Sequence, residues 1–326
     1  MLIKQRIDEP RLIGIASTPV PNIEEHSFIH IDAIYPKLHQ ENGNSTSASV
    51  RSRAIEPYCN SDSWWKSRKG TNTYLVGEGR KRLLIDTGEG RESWIRNLKD
   101  ILKKEQATIT SCILTHWHHD HVNGIDHLLE YSPKTIIYKN RPSEEQTDIK
   151  DGQTFVTEGA TLRAVHSPGH TQDHMALILE EENAMFTGDN VLGHGTAVFE
   201  DLVTYLNSLE KMKGLFGGKA YPGHGAVIED GPSKIGEYVR HRKERESQVI
   251  QVLKSAKSKP GVPINSDEEA DEWTSMEIVK IIYRDVPETL HVPANGGIVQ
   301  ILHKLQADEK VVKEQDRWKL KARAAL

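Results

Sequence analysis

The most informative run of this sequence is Thr115-His116-Trp117-His118-His119-Asp120-His121. Within it, the pattern His-x-His-x-Asp-His places three imidazoles and one carboxylate in six residues. Such groups at this spacing are ligands for borderline-soft divalent metals, chiefly zinc. The preceding run, Ser111–Thr115, predicts a short buried strand, so the cluster should lie where a strand runs out into a loop. The competing interpretation is a His-rich surface loop.

Three later positions supply matching ligands. They are His170 in the run Ser167–Thr171, Asp189 at the end of Phe186–Asp189, and His224 within Tyr221–Gly225. Each is one ionisable residue on a glycine-containing turn after an apolar run, and glycine permits the sharp turn. A lone histidine is more often a surface or core residue than a ligand. Four such elements in this order instead predict a site for two metal ions.

These motifs together resemble the metallo-beta-lactamase superfamily, in its glyoxalase II-like group, and most closely the endoribonuclease type within it. The likeness also rests on Gly70–Gly77, Leu84–Glu89, Glu158–Arg163, Pro168–Leu177 and Val198–Leu202. It extends from Gly70 to the C-terminus and is absent from the first seventy or so residues. It implies an α/β fold, a four-layer αββα sandwich, followed by a small C-terminal winged-helix-like domain.

The chain divides into three predicted parts. Residues 1–63 form an atypical N-terminal segment that is partly flexible, 64–262 the metallo-beta-lactamase domain, and 263–326 the winged-helix-like domain. In the last part, Thr274 and Glu277 have the spacing of a capping box at a helix start. A second helix is predicted from Gly297 to Gln306, and a short wing follows. A plain helical cap is the alternative.

The resemblance also assigns ligands. It implies that the first metal is held by His116, His118 and His170, that the second is held by Asp120, His121 and His224, and that Asp189 bridges them. Two zinc ions per chain are therefore expected. Two metals about 3.5–4 Å apart can activate one hydroxide and clamp the attacking and leaving oxygens. Asp120 is also the candidate catalytic residue, because a carboxylate at the metal edge can orient or deprotonate the attacking water.

Several neighbouring residues have two interpretations each. His119 occupies a variable position of the motif and is expected to point away from the metals. Asp86 is either a carboxylate that orients a ligand histidine or a structural turn residue. Trp117, Trp273 and Trp318 are candidates for base stacking, although core packing is the more common role of such residues.

Composition restricts the function without choosing the substrate. A formal net charge of −5 argues against a dedicated nucleic-acid binder. Two cysteines make no disulfide framework, and no apolar stretch approaches the length of a membrane helix.

The resemblance implies an endoribonuclease that cleaves single-stranded RNA. It places the enzyme in the mitochondrial matrix, with the cytoplasm as the other possibility. We expect no membrane association and no obligate protein partner. A glyoxalase II-like thioester hydrolase is the alternative function, and a non-catalytic metal-binding adaptor is the third hypothesis.

Overall fold

Two β-sheets packed face to face form the centre of the molecule. The computed structural model describes residues 53–55, 70–255 and 271–321. The six-stranded first sheet runs in chain order and contains β1 (Arg53–Ile55), β2 (Thr73–Val76), β3 (Lys81–Ile85), β4 (Thr108–Leu114), β5 (Ile136–Lys139) and β6 (Thr147–Asp148). The five-stranded second sheet has the order β11-β10-β9-β8-β7, with β7 (Thr154–Thr157), β8 (Ala160–His166), β9 (Met175–Leu179), β10 (Ala184–Gly188) and β11 (Ala220–Pro222).

Side chains alternate between two cores along each central strand. Ile85 and Ile113 face the core between the sheets, whereas their neighbours Leu84 and Leu114 face the helices outside. Strand β9 is buried on both faces, which explains its uninterrupted apolar sequence. Each fully buried Leu or Ile contributes about 1.5–3 kcal/mol, so a one-residue slip of a central strand would be very costly.

Helices cover both outer faces. Helix α1 (Glu92–Glu105) and the short helix α3 (Ile125–Tyr131) pack on the first sheet. Helices α4 (Leu202–Lys213) and α5 (Gly231–Lys254) pack on the second. The Asp201 carboxylate accepts a hydrogen bond from Thr204 N at 2.7 Å and caps α4, a contact typically worth about 1 kcal/mol. The α/β sandwich implied by the resemblance is confirmed.

A small helical unit with a two-stranded wing follows the sandwich. It contains α6 (Ser275–Ile282), α7 (His291–Ala307), β12 (Val311–Glu314) and β13 (Arg317–Leu320). Thr274 and Glu277 form the predicted capping box. Its core joins Val249, Val252 and Leu253 at the end of α5, so the unit is anchored on the sandwich. The winged-helix expectation is confirmed, and Trp273 and Trp318 are buried in this core rather than exposed for stacking.

Helix α7 begins at His291 rather than at Gly297. Gly296 and Gly297 each disfavour a helix interior by about 1 kcal/mol, so local propensity opposes a helix that runs through them. Burial of Ala294 and Ile298 on the same face outweighs that cost. Pro293 lies in the first turn, where its missing N–H costs little.

Part of the predicted organisation lies outside the described residues. This applies to residues 1–52 and to both predicted domain boundaries, at 63/64 and 262/263. Among the described helices, none has the length and apolarity needed to cross a bilayer.

Candidate metal centre

All seven predicted ligands lie at one edge of the sandwich, where strands of both sheets end. β4 ends at Leu114 just before His116, and β10 ends at Gly188 just before Asp189. The structure gathers the seven into two adjoining groups: His116, His118, His170 and Asp189 in the first, and Asp120, His121 and His224 in the second. The first sequence motif is not wholly a loop, because a short helix α2 (His119–Val122) contains Asp120 and His121.

In the first group, three imidazole nitrogens converge. His118 Nδ1 lies 3.0 Å from both His116 Nε2 and His170 Nε2, and these two Nε2 atoms are 3.3 Å apart. His116 is fully buried and His170 nearly so. Such a cluster would be unfavourable without a cation, because lone pairs would face one another in a space with little water.

In the second group, His224 Nε2 lies 3.1 Å from Asp120 Oδ2 and 3.4 Å from His121 Nε2. Thr71 Oγ1 donates to the same Asp120 oxygen at 3.0 Å and holds the carboxylate in place. His121 is fully buried, whereas the Asp120 side chain is 34% exposed. The group is therefore closed at its back and open to solvent on the side of Asp120.

Asp189 connects the groups. Its Oδ2 lies 3.2 Å from His224 Nε2 and 3.8 Å from His170 Nε2, so one carboxylate reaches both groups. Its Oδ1 is buried and lies 3.4 Å from His121 Nε2, without a hydrogen bond of good geometry among the described residues. An unsatisfied buried carboxylate oxygen beside converging imidazoles is a donor set that divalent cations satisfy, so the residues present fit a two-metal site.

Asp86 orients two of the histidines. Its carboxylate accepts hydrogen bonds at 2.8 Å from Thr115 N, Thr115 Oγ1 and His121 Nδ1. Because the Thr115 hydroxyl donates to Asp86, it accepts from His116 Nδ1, 2.9 Å away. Both rings are therefore protonated on Nδ1 and direct Nε2 toward the site, where a metal could bind it. Of the two interpretations of Asp86, the structure supports the orienting carboxylate.

Two further supports were not predicted from the sequence. The Val198 carbonyl oxygen accepts from His170 Nδ1 at 2.8 Å, which fixes the His170 tautomer. His174 Nε2 accepts from Asp189 N at 3.1 Å, and its Nδ1 lies 2.9 Å from Ser167 Oγ. His174 lies outside the ligand motifs, and nothing in the sequence indicates a role for it. Its complete burial, which only the fold reveals, is the signal for this backbone contact.

The two groups differ in electrostatics. Burial lowers the pKa of His118 to about 4 and also lowers the pKa of His116 and His170, so these imidazoles are neutral. Burial alone would lower the pKa of His224 too, but the charges of Asp189 and Asp120 outweigh it and raise this pKa to about 10. The first group therefore presents ready ligands at neutral pH, whereas the second must lose protons to bind a metal.

Two residues of the opening motif belong to neither ligand group. His119 is exposed and belongs to neither group, as predicted. The Trp117 side chain is 45% exposed and lies edge-on to the His118 ring, with their centroids 4.6 Å apart. Trp117 is thus at the mouth of the site rather than in the core.

Comparisons with known proteins agree with this architecture. The family model described as the metallo-beta-lactamase superfamily matches residues 67–224. The model described as the beta-lactamase associated winged helix domain matches residues 274–318. Two solved structures share the fold: a beta-lactamase domain protein from Burkholderia ambifaria (TM-score 0.63, 16% identity, 77% of this chain and 87% of that chain) and TTHA1429 from Thermus thermophilus (TM-score 0.57, 20% identity, 77% and 94%).

Fungal proteins are similar in sequence over most of their length. Lactamase-like protein aptB of Emericella nidulans is 45% identical over 262 residues, which cover 78% of this chain and 83% of the relative. An atrochrysone carboxyl ACP thioesterase of Aspergillus chevalieri is 45% identical over 249 residues, 76% of this chain and 79% of the relative. Neither name describes a ribonuclease, so the likeness to the endoribonuclease type stays a prediction. The chain belongs to the metallo-beta-lactamase superfamily and carries the winged-helix domain associated with it.

Proposed function

We propose that this protein is a metal-dependent thioester hydrolase that releases an acyl group from an acyl carrier protein. The observation that carries the proposal is the 45% identity, over 79% of its length, to a relative named as an ACP thioesterase. Thioester hydrolysis was the alternative in the sequence analysis, and it now ranks above cleavage of single-stranded RNA. We also propose zinc as the metal, held as the resemblance implies.

Three exposed apolar side chains lie on segments that carry or contact ligand histidines. Trp117, Val198 and Val227 are 45%, 48% and 38% exposed, and each lies close in sequence or space to a ligand histidine. Trp117 contacts His118, the Val198 carbonyl bonds His170, and Val227 follows His224 by three residues. Exposed apolar side chains around a polar centre favour a substrate with an apolar acyl group over a polyphosphate chain.

The winged-helix unit gives little support to RNA binding. Trp273 and Trp318, the candidate stacking residues of this unit, are buried. Cations of the unit pair with carboxylates: Lys304 and Lys310 with Asp308, Arg317 with Glu277, Lys319 with Glu314, and Lys321 with Glu309. A single-strand binder instead combines exposed aromatic rings with a positive groove. Endoribonuclease activity therefore remains a prediction without an observation that favours it.

The chemistry follows from the residues at the open side. Zinc bound in these groups would polarise the thioester carbonyl and lower the pKa of an attacking water. The hydrogen bond from His224 and the nearby charges outweigh burial and hold the pKa of Asp120 well below its usual range, so its carboxylate is ionised and can orient that water. A thiol has a pKa near 8.5, so the leaving group departs as a thiolate without needing a strong proton donor.

The proposal is tested with purified, zinc-loaded protein and three substrates that carry the same acyl group. These are the carrier-protein thioester, the glutathione thioester and the matching oxygen ester, with release of free thiol or acid as the readout. We expect the carrier-protein thioester to be hydrolysed fastest. Equal rates on both thioesters would remove the carrier protein from the proposal, and no hydrolysis of either would refute the thioesterase function.

A further inference from the structure

The segment from Val191 to Asp201, which we call the capping loop, leads from the metal centre to helix α4 and contacts the C-terminal unit. It begins two residues after Asp189 and ends at the N-cap of α4. Its Val198 carbonyl is the acceptor that fixes His170, as described above. The Val198 side chain is about half exposed, so its own burial does little to hold that carbonyl in place.

One side chain of α5 holds the residues on either side of Val198. Arg242 Nη2 donates to the Ala197 carbonyl oxygen at 2.8 Å. The Arg242 guanidinium also lies over the Phe199 ring, 4.9 Å from its centroid. Phe199 also stacks on Tyr205 of α4, with centroids 5.4 Å apart and planes inclined by 20°. Arg242 therefore fixes the position of Val198 from both sides.

The C-terminal unit adds a second contact. Gln300 Nε2 of α7 donates to the Glu200 carbonyl oxygen at 2.7 Å. Glu200 N in turn donates at 2.7 Å to the carbonyl oxygen of Gly169, the residue before His170. The backbone on both sides of the His170–Val198 contact is thus tied to α5 or α7.

We infer that Arg242 is a positioning residue for the metal ligand His170, acting through the Val198 carbonyl, and that Gln300 extends this support from the winged-helix unit. A ligand histidine whose second nitrogen is held by a fixed acceptor has a set tautomer and ring orientation, and loss of such support typically weakens metal binding about 10- to 100-fold. The inference concerns how the metal is held and applies to any ester or thioester substrate.

The test measures zinc affinity rather than activity. Metal-free wild type, Arg242→Met and Gln300→Ala are titrated with zinc against a chromophoric chelator, and circular dichroism checks that each is folded. Lys243→Met is the matched control, because Lys243 is the next residue on α5 and its side chain is 66% exposed. Cobalt absorption spectra give a second readout, since they report the ligand geometry around the ion.

We expect Arg242→Met to weaken the binding of one ion by about 10- to 100-fold and to alter the cobalt spectrum. Gln300→Ala should act in the same direction by a smaller factor, and Lys243→Met should match wild type. If Arg242→Met does not fold, Gln300→Ala decides the question. Wild-type affinity in the folded variants, or an equal loss in Lys243→Met, would overturn the inference.

Discussion

Replacing Asp86 by Asn should weaken metal binding without removing any ligand. Asp86 is buried and adopts a left-handed backbone conformation with φ of 59°, which asparagine tolerates well. The substitution keeps the shape of the side chain and removes its charge. One of the two oxygens becomes an NH2 group, although both accept hydrogen bonds at 2.8 Å in the native protein.

The expected losses of zinc affinity and of stability follow from those contacts. With the amide oxygen facing Thr115 N, the new NH2 group faces His121 Nδ1–H, and two donors confront each other. His121 would then move its proton to Nε2, the atom that lies 3.6 Å from Asp120 Oδ2. A protonated Nε2 cannot bind a metal, so we expect a 10- to 100-fold loss of zinc affinity, equivalent to about 1.4–2.8 kcal/mol. Loss of the charged hydrogen bond should also destabilise the metal-free chain by about 1.5–3 kcal/mol.

Competition titration with a zinc chelator gives the affinity, and urea unfolding of the metal-free chain gives the stability. Asp126→Asn is the control, because it makes the same chemical change at an exposed position of α3. A folded Asp86→Asn protein that binds zinc as tightly as wild type would refute the idea that this carboxylate sets the tautomer of His121.

Three further predictions test the site. Asp189→Ala should reduce hydrolysis to the background rate while the far-ultraviolet circular dichroism spectrum is retained, and full activity in the metal-analysed variant would contradict a bridging role. Because the carboxylates of Asp189 and Asp120 outweigh burial and raise the pKa of His224 to about 10, zinc binding at pH 8 should release protons, and calorimetric enthalpies should change with the ionisation enthalpy of the buffer. Trp117→Ala should raise KM for a long apolar acyl thioester by about tenfold, equivalent to about 1.4 kcal/mol, and leave KM for the acetyl thioester unchanged. Val156→Ala, at a 71% exposed position on β7, is its control, and a similar rise of KM for both substrates would exclude an acyl contact.

Ligand residues were predictable because their chemistry is specific to the side chain. His116, His118 and Asp120 stand at fixed spacing after an apolar run, and few other residue types bind zinc. Their division into two groups came from the resemblance, and the structure gathers the same residues in that way, with Asp189 between them. The assignment of each residue as a ligand stays a proposal until a metal is measured.

The groups that hold the ligand side chains in place were less predictable than the ligands themselves, for a physical reason. The acceptor for His170 is the Val198 backbone carbonyl, a group that every residue has, so no pattern marks it. His174 acts through complete burial against the Asp189 backbone, and burial depends on the packed fold rather than on local sequence. Asp86 had two interpretations, because a carboxylate can either orient a ligand histidine or belong to a structural turn.

Of the fold, the strand before His116 and the capping box at Thr274 followed from local sequence, and the sandwich followed from the resemblance, whereas helix starts that depend on tertiary packing did not. Helix α7 shows this, since burial of Ala294 and Ile298 extends it through two glycines. The substrate was the least predictable feature, because the same metal centre suits more than one reaction and the choice depends on the surface around it.

The most direct test of the proposed function is a paired assay of one zinc-loaded preparation. An acyl-carrier-protein thioester and a single-stranded RNA are incubated under identical conditions, and Asp189→Ala protein serves as the blank for both. We predict that the wild-type protein releases the acyl group and leaves the RNA intact. Cleavage of the RNA with the thioester intact would contradict the account and restore the endoribonuclease prediction.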